Sequence, residues 1–165
     1  MNLPKRKSTR VPQYNYANNG YYFVTICTHN KNHLFGDVNN LNEKGKIVKT
    51  ELEDISMHFE HVKIDKYVIM PNHLHCIVMI GCDRAPYSNV GEGLDPPAVV
   101  SLNIIIGLFK SGVSKRIYEL YPKIPVWQRS FYEHIIRNED DYLRIWKYID
   151  ENPAKWIEDE YFVEM

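Results

Sequence analysis

Stretches of alternating and helically spaced apolar residues cover most of this 165-residue chain. Residues 21–28, 61–70 and 73–80 are β-branched, aromatic and apolar runs bounded by Gly, Pro or Asn, and this pattern predicts three strands. Residues 127–135 alternate enough for a fourth strand, and residues 34–38 for a short edge strand. Helical spacing predicts helices over residues 42–58, 98–120 and 138–151, with Asn42 and Asn138 as N-caps.

Each predicted helix carries an apolar stripe that can pack on a sheet. The stripes are Ile47, Val48, Leu52 and Ile55; then Val99, Leu102, Ile106, Phe109 and Val113; then Ile145 and Ile149. The Pro71-Asn72 break between two strands predicts that these strands pair antiparallel. Residues 81–97 contain three glycines and three prolines, which predicts a long flexible loop.

The length and composition are those of an ordinary globular domain. Hydrophobic residues make up 44% and charged residues 25% of the chain, and no apolar run approaches the roughly 20 residues of a membrane span. The first residues lack the apolar core of a signal peptide, so we expect a cytoplasmic protein. The three cysteines have no C-x-x-C spacing, so neither a disulfide framework nor a thiolate zinc site is indicated.

The net charge of −1 provides no global field for nucleic acid, but the charges are unevenly placed. Residues 1–19 predict a basic extended arm, and a second basic cluster lies on the predicted helix over residues 98–120. The residues concerned are Lys5, Arg6, Lys7 and Arg10, then Lys110, Lys115 and Arg116. Charge alone is equally consistent with phosphate binding and with a solvated surface.

The strongest chemical signal is a pair of histidines directly after the Pro71-Asn72 break. In a strand, side chains alternate between faces, so His73 and His75 point the same way while Leu74 points to the opposite face. Two imidazoles on one face of an apolar strand form half of a metal site. The remaining ligands must then come from elsewhere in the chain.

The last predicted helix presents a second set of polar residues. Arg144, Tyr148 and Asn152 are spaced by four and therefore lie along one helix face. Taken alone, Tyr148 is explained as an amphipathic residue at the edge of the core, and Asn152 as a helix C-terminal residue before Pro153. Considered together with the histidine pair, Tyr148 and Asn152 are better explained by a functional role.

Together these motifs resemble the HUH single-strand nucleases, in which two histidines flank one hydrophobic residue and a helix carries a catalytic tyrosine. The closer resemblance is to the REP-associated tyrosine transposases, relatives of the single-tyrosine insertion-sequence transposases. It is carried by residues 22–28 (YFVTICT), 68–75 (VIMPNHLH), 127–137 (WQRSFYEHIIR), and the late helix with Asp141-Tyr142, Tyr148-Ile149 and Asn152-Pro153. These segments span most of the chain.

The resemblance implies that His73 and His75 bind a metal, that Tyr148 is the nucleophile and that Asn152 is the third ligand. Many insertion-sequence relatives have glutamine at that third position. It also implies an α+β fold: a ferredoxin-like antiparallel sheet of four to five strands with helices packed on one face. That domain covers residues 20–156, followed by a C-terminal tail over residues 157–165.

The chemistry implied is metal-dependent cleavage and rejoining of single-stranded or hairpin DNA through a 5′-phosphotyrosine intermediate. Two imidazoles and an amide oxygen leave positions open on Mg²⁺ or Mn²⁺ for a scissile phosphate. We expect either a monomer or a homodimer, with no membrane partner. Candidate contacts to the DNA backbone are Arg137, Arg144, Lys147, Lys110, Lys115, Arg116 and the basic arm with Lys5, Arg6, Lys7 and Arg10.

Two other classes of function remain open. A four-stranded sheet with two helices also builds RNA-recognition modules, so the chain could be a catalytically inactive protein that binds single-stranded nucleic acid. A metal-dependent hydrolase that uses water as nucleophile is the second alternative. Replacing Tyr148 by Phe separates these classes, since only the transposase chemistry requires the phenol. The sequence assigns no role to His134.

Overall fold

The computed structural model describes residues 14–81 and 100–164. The elements follow in the order β1 Gly20–Cys27, β2 Gly36–Asp37, β3 Asn40–Leu41, α1 Glu43–Glu53, α2 Ile55–His58, β4 Val62–Met70, β5 His73–Ile80, α3 Leu102–Leu120, β6 Tyr132–Ile136 and α4 Glu139–Glu151. A 3-10 helix, Asn152–Glu158, follows α4 directly. Most of the basic arm and of the expected flexible loop over residues 81–97 lies outside the described residues.

The main sheet within the described ranges has four strands in the order β4-β5-β1-β6, and all of the neighbouring pairs are antiparallel. With α1 and α3 as the connections, this is the β-α-β-β-α-β order of ferredoxin-like folds. The expected α+β fold with a four-stranded antiparallel sheet is confirmed. The strands β2 and β3 pair with each other in a short hairpin and, among the residues described, with no other strand.

The two faces of the sheet pack against different helices. Alternate residues of β1 and β5, such as Val24 and Leu74, join α1, α2 and α3 in the larger core cluster. The intervening residues, such as Phe23 and Ile77, form a smaller cluster with Ile145 and Ile149 of α4. Thus α1 and α3 share one face, whereas α4 packs on the opposite face, where the sheet also carries the histidine pair. The expectation that the helices pack on one face therefore does not hold for α4, because Ile145 and Ile149 pack on the residues of β1 and β5 that point away from the larger cluster.

The helix boundaries follow the sequence pattern with two changes. Asn42 caps α1 by accepting a hydrogen bond from the Gly45 amide at 3.0 Å, but the helix predicted through residue 58 is interrupted at Asp54. Asn138 caps α4 by accepting from the Asp141 amide at 2.9 Å. The helix predicted from residue 98 begins at Leu102, and residues 98 and 99 lie outside the described part of the chain.

The fourth strand begins later than expected. Residues 127–131 form only an isolated bridge, between Trp127 and Thr28. The Trp127 ring packs on Phe35 and Phe109, and its Nε1 donates to the Lys110 carbonyl at 3.1 Å. Because α3 holds this segment through side-chain contacts, regular strand pairing starts only at residue 132.

Among the described residues, none of the helices is both long enough and apolar enough to cross a membrane. The single domain over residues 20–156 stays a prediction.

We expect Leu74→Ala to lower the free energy of unfolding by about 2–5 kcal/mol, because the side chain is fully buried in the larger cluster and its removal leaves a cavity. The matched control is Leu143→Ala on α4, where the leucine is 55% exposed and the change should stay within about 0.5 kcal/mol. Urea unfolding of both variants measures the difference. Equal losses in the two variants would contradict the assignment of the core.

Candidate active site

The two histidines of β5 lie side by side on the sheet face that α4 partly covers. Their Nε2 atoms are 3.0 Å apart, and neither side chain is more than 1% exposed. Leu74, between them, points into the larger core on the opposite face. The alternation of β5 therefore directs two buried imidazole edges at one point.

Each imidazole is held at its other nitrogen by a buried polar side chain. His73 Nδ1 lies 2.8 Å from Asn72 Oδ1, and His75 Nδ1 lies 2.8 Å from Thr25 Oγ1 on the neighbouring strand. When both rings carry their hydrogen on Nδ1, both Nε2 lone pairs face the same point. This is the arrangement in which a partner at one imidazole nitrogen orients the other nitrogen toward a metal.

Burial keeps the histidine pair uncharged at neutral pH. Loss of solvent lowers the pKa of His73 to about 4, a shift that Asp159 partly opposes. Burial, followed by the neighbouring His73, lowers the pKa of His75 well below its ordinary value. Neutral imidazole is the form that binds metals, so the pair is ready to act as a ligand without losing a proton.

Tyr148 of α4 reaches the same point. Its hydroxyl lies 3.2 Å from His75 Nε2, and its ring meets the His75 and Phe23 rings edge-on, with centroids 5.1 and 6.0 Å away. Burial and the carboxylates of Asp159 and Glu160 raise the pKa of Tyr148. The phenol is therefore protonated at neutral pH, and a nearby positive charge is needed to favour its anion.

A carboxylate and an amide complete the cluster. One carboxylate oxygen of Asp159 and one ring nitrogen from each histidine all lie within 4.8 Å of one another. Asn152 is buried, and its Nδ2 donates to Asp159 Oδ2 at 2.6 Å, whereas its Oδ1 has no hydrogen-bond partner. The structure thus links the predicted third ligand to the histidines through a residue that the sequence reasoning did not select.

These groups fit a divalent cation. The site offers two uncharged imidazole nitrogens, a carboxylate and a buried amide oxygen that lacks a donor. An unpaired buried oxygen is unfavourable unless something else satisfies it, and a bound cation does so. Mixed nitrogen and oxygen ligands of this kind suit Mn²⁺ well and also accept Mg²⁺.

The C-terminal segment, expected as a tail, folds over the histidines. The rings of Trp156 and Tyr161 lie 5.8 and 4.7 Å from the His73 ring, and the Tyr161 amide donates to Asp159 Oδ1 at 2.7 Å. The sequence pattern did not indicate Asp159 as a site residue, because its acidic neighbours are typical of a solvated tail. The available signal was the pair Trp156 and Tyr161, aromatic residues that are unusual in a tail.

The predicted DNA contacts fall on two sides of the sheet. Arg144 and Lys147 are exposed on α4, beside Tyr148, and Arg137 is exposed just before that helix. Lys110, Lys115 and Arg116 lie on α3, which covers the opposite face, so the structure does not bring them to the histidines. Lys110 is half-buried and donates to the Gln128 carbonyl at 2.6 Å. The basic residues of the arm, Lys5, Arg6, Lys7 and Arg10, lie outside the described residues.

His134 also occupies the face with the histidine pair. Its Nε2 lies 2.7 Å from Asp141 Oδ2, and Arg144 donates to Asp141 Oδ1 at 2.5 Å. This contact ties β6 to the first turn of α4. It gives His134 a structural role that the sequence did not indicate.

Two solved structures share this fold. One is a REP-associated tyrosine transposase bound to a REP hairpin, with a TM-score of 0.58 and 19% identity over 89% of this chain and 73% of that chain. The other, from Deinococcus radiodurans R1, carries a provisional transposase assignment; its TM-score is 0.51, with 15% identity over 86% of this chain and 95% of that one. The resemblance to REP-associated tyrosine transposases is confirmed at the level of the fold.

Sequence comparison then places the chain in a family. It is 40% identical to an uncharacterised protein of Haemophilus influenzae over 169 aligned residues, which cover 96% of this chain and 94% of that relative. The chain belongs to the same protein family as this Haemophilus influenzae protein. No family model matches the sequence.

The pKa shifts predict that the metal-free protein loses stability in mild acid. Between the ordinary histidine pKa of 6.5 and the value of about 4 for folded His73, the unfolded chain binds a proton that the folded chain does not. The free energy of unfolding should therefore fall as the pH drops through this window, by up to about 1.4 kcal/mol per pH unit for each buried histidine. Urea unfolding in the presence of a chelator, from about pH 7 to about pH 5, measures the slope.

His73→Gln provides the control, because it removes one of the two groups responsible. Its slope should be smaller than that of the unaltered protein over the same window. A stability that does not change between these pH values would contradict the burial of neutral imidazoles.

Proposed function

We propose that this protein is a metal-dependent endonuclease and strand transferase for single-stranded DNA, in which Tyr148 is the nucleophile. His73, His75 and Asn152 are the proposed ligands of Mg²⁺ or Mn²⁺, and Asp159 is the carboxylate that orients Asn152. The substrate we infer is a hairpin or the single strand beside one. The observation that carries the proposal is that the Tyr148 hydroxyl lies 3.2 Å from His75 Nε2, which itself lies 3.0 Å from His73 Nε2, on a fold shared with transposases.

The charge of the surroundings supports a role for a cation. A cavity of about 270 Å³ opens beside Tyr148 and Asn152, and four carboxylates line it with one lysine. These are Glu151, Glu158, Asp159 and Glu160, with Lys155. A phosphate group would be repelled from such a site unless a divalent cation reversed the local charge. Acidic surroundings and a phosphate substrate are therefore compatible only with metal binding.

The chain's own residues provide the remaining requirements of the reaction. A cation bound at the histidines supplies neutralisation of the phosphate charge and stabilisation of the departing oxygen. Tyr148 attacks phosphorus, a bond forms between the phenol oxygen and the phosphate, the bond to the 3′ oxygen breaks, and the phenol proton is released as the 3′ oxygen gains one. One phosphate ester replaces another, so the step needs no nucleotide hydrolysis and can be reversed onto a different 3′ end.

The packing of Tyr148 supports its role as a positioned nucleophile. Phe23 stacks on the His75 ring at 5.4 Å between centroids and meets the Tyr148 ring edge-on. Ile145 and Ile149, on the neighbouring face of α4, hold the helix on the sheet. The phenol oxygen therefore has a defined position relative to the imidazoles, as an attack on bound phosphate requires.

We predict a covalent protein–DNA adduct that requires both Mn²⁺ or Mg²⁺ and Tyr148. Purified protein is mixed with labelled hairpin DNA from the flanks of its own gene and run on a denaturing gel. Tyr148→Phe should reduce the adduct by at least about 1000-fold, because no other group replaces the lost nucleophile.

Tyr161→Phe is the matched control for this assay. Tyr161 also contacts the His73 ring and is also half-buried, and burial raises the pKa of its phenol too. This variant should still form the adduct. Loss of the adduct in Tyr161→Phe and not in Tyr148→Phe would identify Tyr161, and not Tyr148, as the nucleophile. Cleavage without any adduct would indicate a water-using hydrolase, and DNA binding without cleavage a binding protein.

We also predict that Asn152 contributes more to metal binding than Asp159 does. Asn152→Ala removes the proposed ligand oxygen, whereas Asp159→Asn keeps the shape of the orienting group and removes its charge. Titration calorimetry with Mn²⁺ should show a loss of affinity of about 10- to 100-fold for Asp159→Asn, the range typical of outer partners of metal ligands, and a larger loss for Asn152→Ala. The reverse order would make Asp159 the direct ligand.

A further inference from the structure

Asn72 is fully buried in the turn between β4 and β5, directly before His73, and all the hydrogen-bonding groups of its side-chain amide have partners. Its Nδ2 donates to the Lys31 carbonyl at 3.2 Å and to the Tyr161 carbonyl at 2.8 Å, while its Oδ1 lies 2.8 Å from His73 Nδ1. Three separate parts of the chain therefore meet at one amide: the loop after β1, the β4–β5 turn and the C-terminal segment.

Two backbone carbonyls fix the orientation of this amide. A carbonyl can only accept, so both Lys31 and Tyr161 require the NH₂ end of Asn72 to face them. The oxygen end is then left facing His73. Because an amide oxygen also can only accept, His73 Nδ1 must carry the hydrogen, and His73 Nε2 is left as a bare lone pair.

The second histidine is not constrained in this way. His75 Nδ1 faces the hydroxyl of Thr25, and a hydroxyl can rotate to donate or to accept. The 3.0 Å contact between the two Nε2 atoms needs one hydrogen between them when both rings are neutral. Since His73 cannot supply it, His75 must do so. Thr25 then donates to His75 Nδ1, and the Tyr148 hydroxyl, 3.2 Å from His75 Nε2, acts as an acceptor toward that nitrogen.

We propose that Asn72 is a positioning residue that fixes the tautomer of His73, so that the two histidines carry opposite tautomers without metal and the same tautomer with it. In the metal-free protein, His73 has its hydrogen on Nδ1 and His75 has its hydrogen on Nε2. When a cation displaces the shared hydrogen, the His75 hydrogen moves to Nδ1 and Thr25 changes from donor to acceptor. Only His75 changes tautomer, and the overall protonation of the pair is unchanged.

The tautomer assignment goes beyond the proposed function. Its metal-free part is independent of that function, and only its metal-bound part rests on it. The metal-free tautomers follow from hydrogen bonds alone and can be measured in a protein that never cleaves DNA. A failure to form the phosphotyrosine adduct would therefore leave the metal-free assignment intact, whereas the wrong tautomer for His73 would overturn it whatever the activity.

The test is nitrogen NMR of the full chain with labelled histidines, in which long-range proton–nitrogen correlations distinguish protonated from unprotonated ring nitrogens. The metal-free protein should show His73 protonated on Nδ1 and His75 on Nε2. A hydrogen on His73 Nε2 would overturn the proposal without any variant. A diamagnetic ion, Mg²⁺ or Zn²⁺, should then convert His75 to the Nδ1 form and leave His73 unchanged.

Variants separate positioning from general structural support. Asn72→Ala should leave His73 as a mixture of tautomers and weaken Mn²⁺ binding by about 10- to 100-fold, the range typical of outer partners of metal-binding histidines. Asn72→Asp keeps the acceptor and loses both donor hydrogens, so it should retain the Nδ1 form of His73 even though it loses both bonds to the carbonyls. An Asn72→Ala protein with the original tautomer and Mn²⁺ affinity would contradict the role of Asn72.

Asn42 is the matched control. Its amide is also used at both ends, accepting from the Gly45 amide and donating to the Leu34 carbonyl, but it caps α1 on the other side of the sheet. Asn42→Ala should reduce stability and leave both histidine tautomers and the Mn²⁺ affinity unchanged. Equal changes in histidine tautomer in the two asparagine variants would contradict the proposal, because the effect of Asn72→Ala would then come from lost stability and not from the positioning of His73.

Discussion

The contact between two buried imidazole nitrogens is the constraint on which the rest of the site depends. His73 Nε2 and His75 Nε2 lie 3.0 Å apart on a central strand, where solvent does not reach them. Two lone pairs at that distance repel unless a proton or a cation lies between them. Asn72 and Thr25 hold the two rings at their Nδ1 atoms, and burial keeps both imidazoles uncharged, so the fold keeps two neutral imidazole nitrogens in contact at this point.

The sheet separates the residues that stabilise the fold from those that form the site. The face toward α1 and α3 carries the larger core cluster, with Val24 and Leu74 fully buried. The other face carries the histidines, Thr25 and Phe23, and within residues 14–81 and 100–164 it is covered by α4 and the C-terminal segment. The buried polar side chains of this face of the sheet have hydrogen-bond partners, as Thr25 has in His75 and His73 has in Asn72.

The acidic C-terminal segment gives the site its second property, a negative charge that a phosphate cannot approach alone. Burial, Asp159 and Glu160 raise the pKa of the Tyr148 phenol, so the proposed nucleophile is protonated in the metal-free protein. A divalent cation at the proposed site would oppose both effects, since it would attract phosphate and favour the phenolate.

Local patterns predicted the strands, the caps at Asn42 and Asn138, and the convergence of His73 and His75, because each depends on the periodicity of a single element. The late start of β6 depends on packing between distant segments, here that of Trp127 on α3. Asp159 could not be selected for the same reason. The 3-10 helix after Asn152 returns the chain to the histidines, whereas Pro153 suggested only that the helix ends there.

The most direct test of the central claim is pulsed electron paramagnetic resonance of the Mn²⁺-loaded protein with labelled histidine nitrogens. We expect coupling to two imidazole nitrogens, with one coupling lost in His73→Gln and the other in His75→Gln. A Mn²⁺ signal without nitrogen coupling, or one that both substitutions leave unchanged, would contradict the claim that the histidine pair is the metal site.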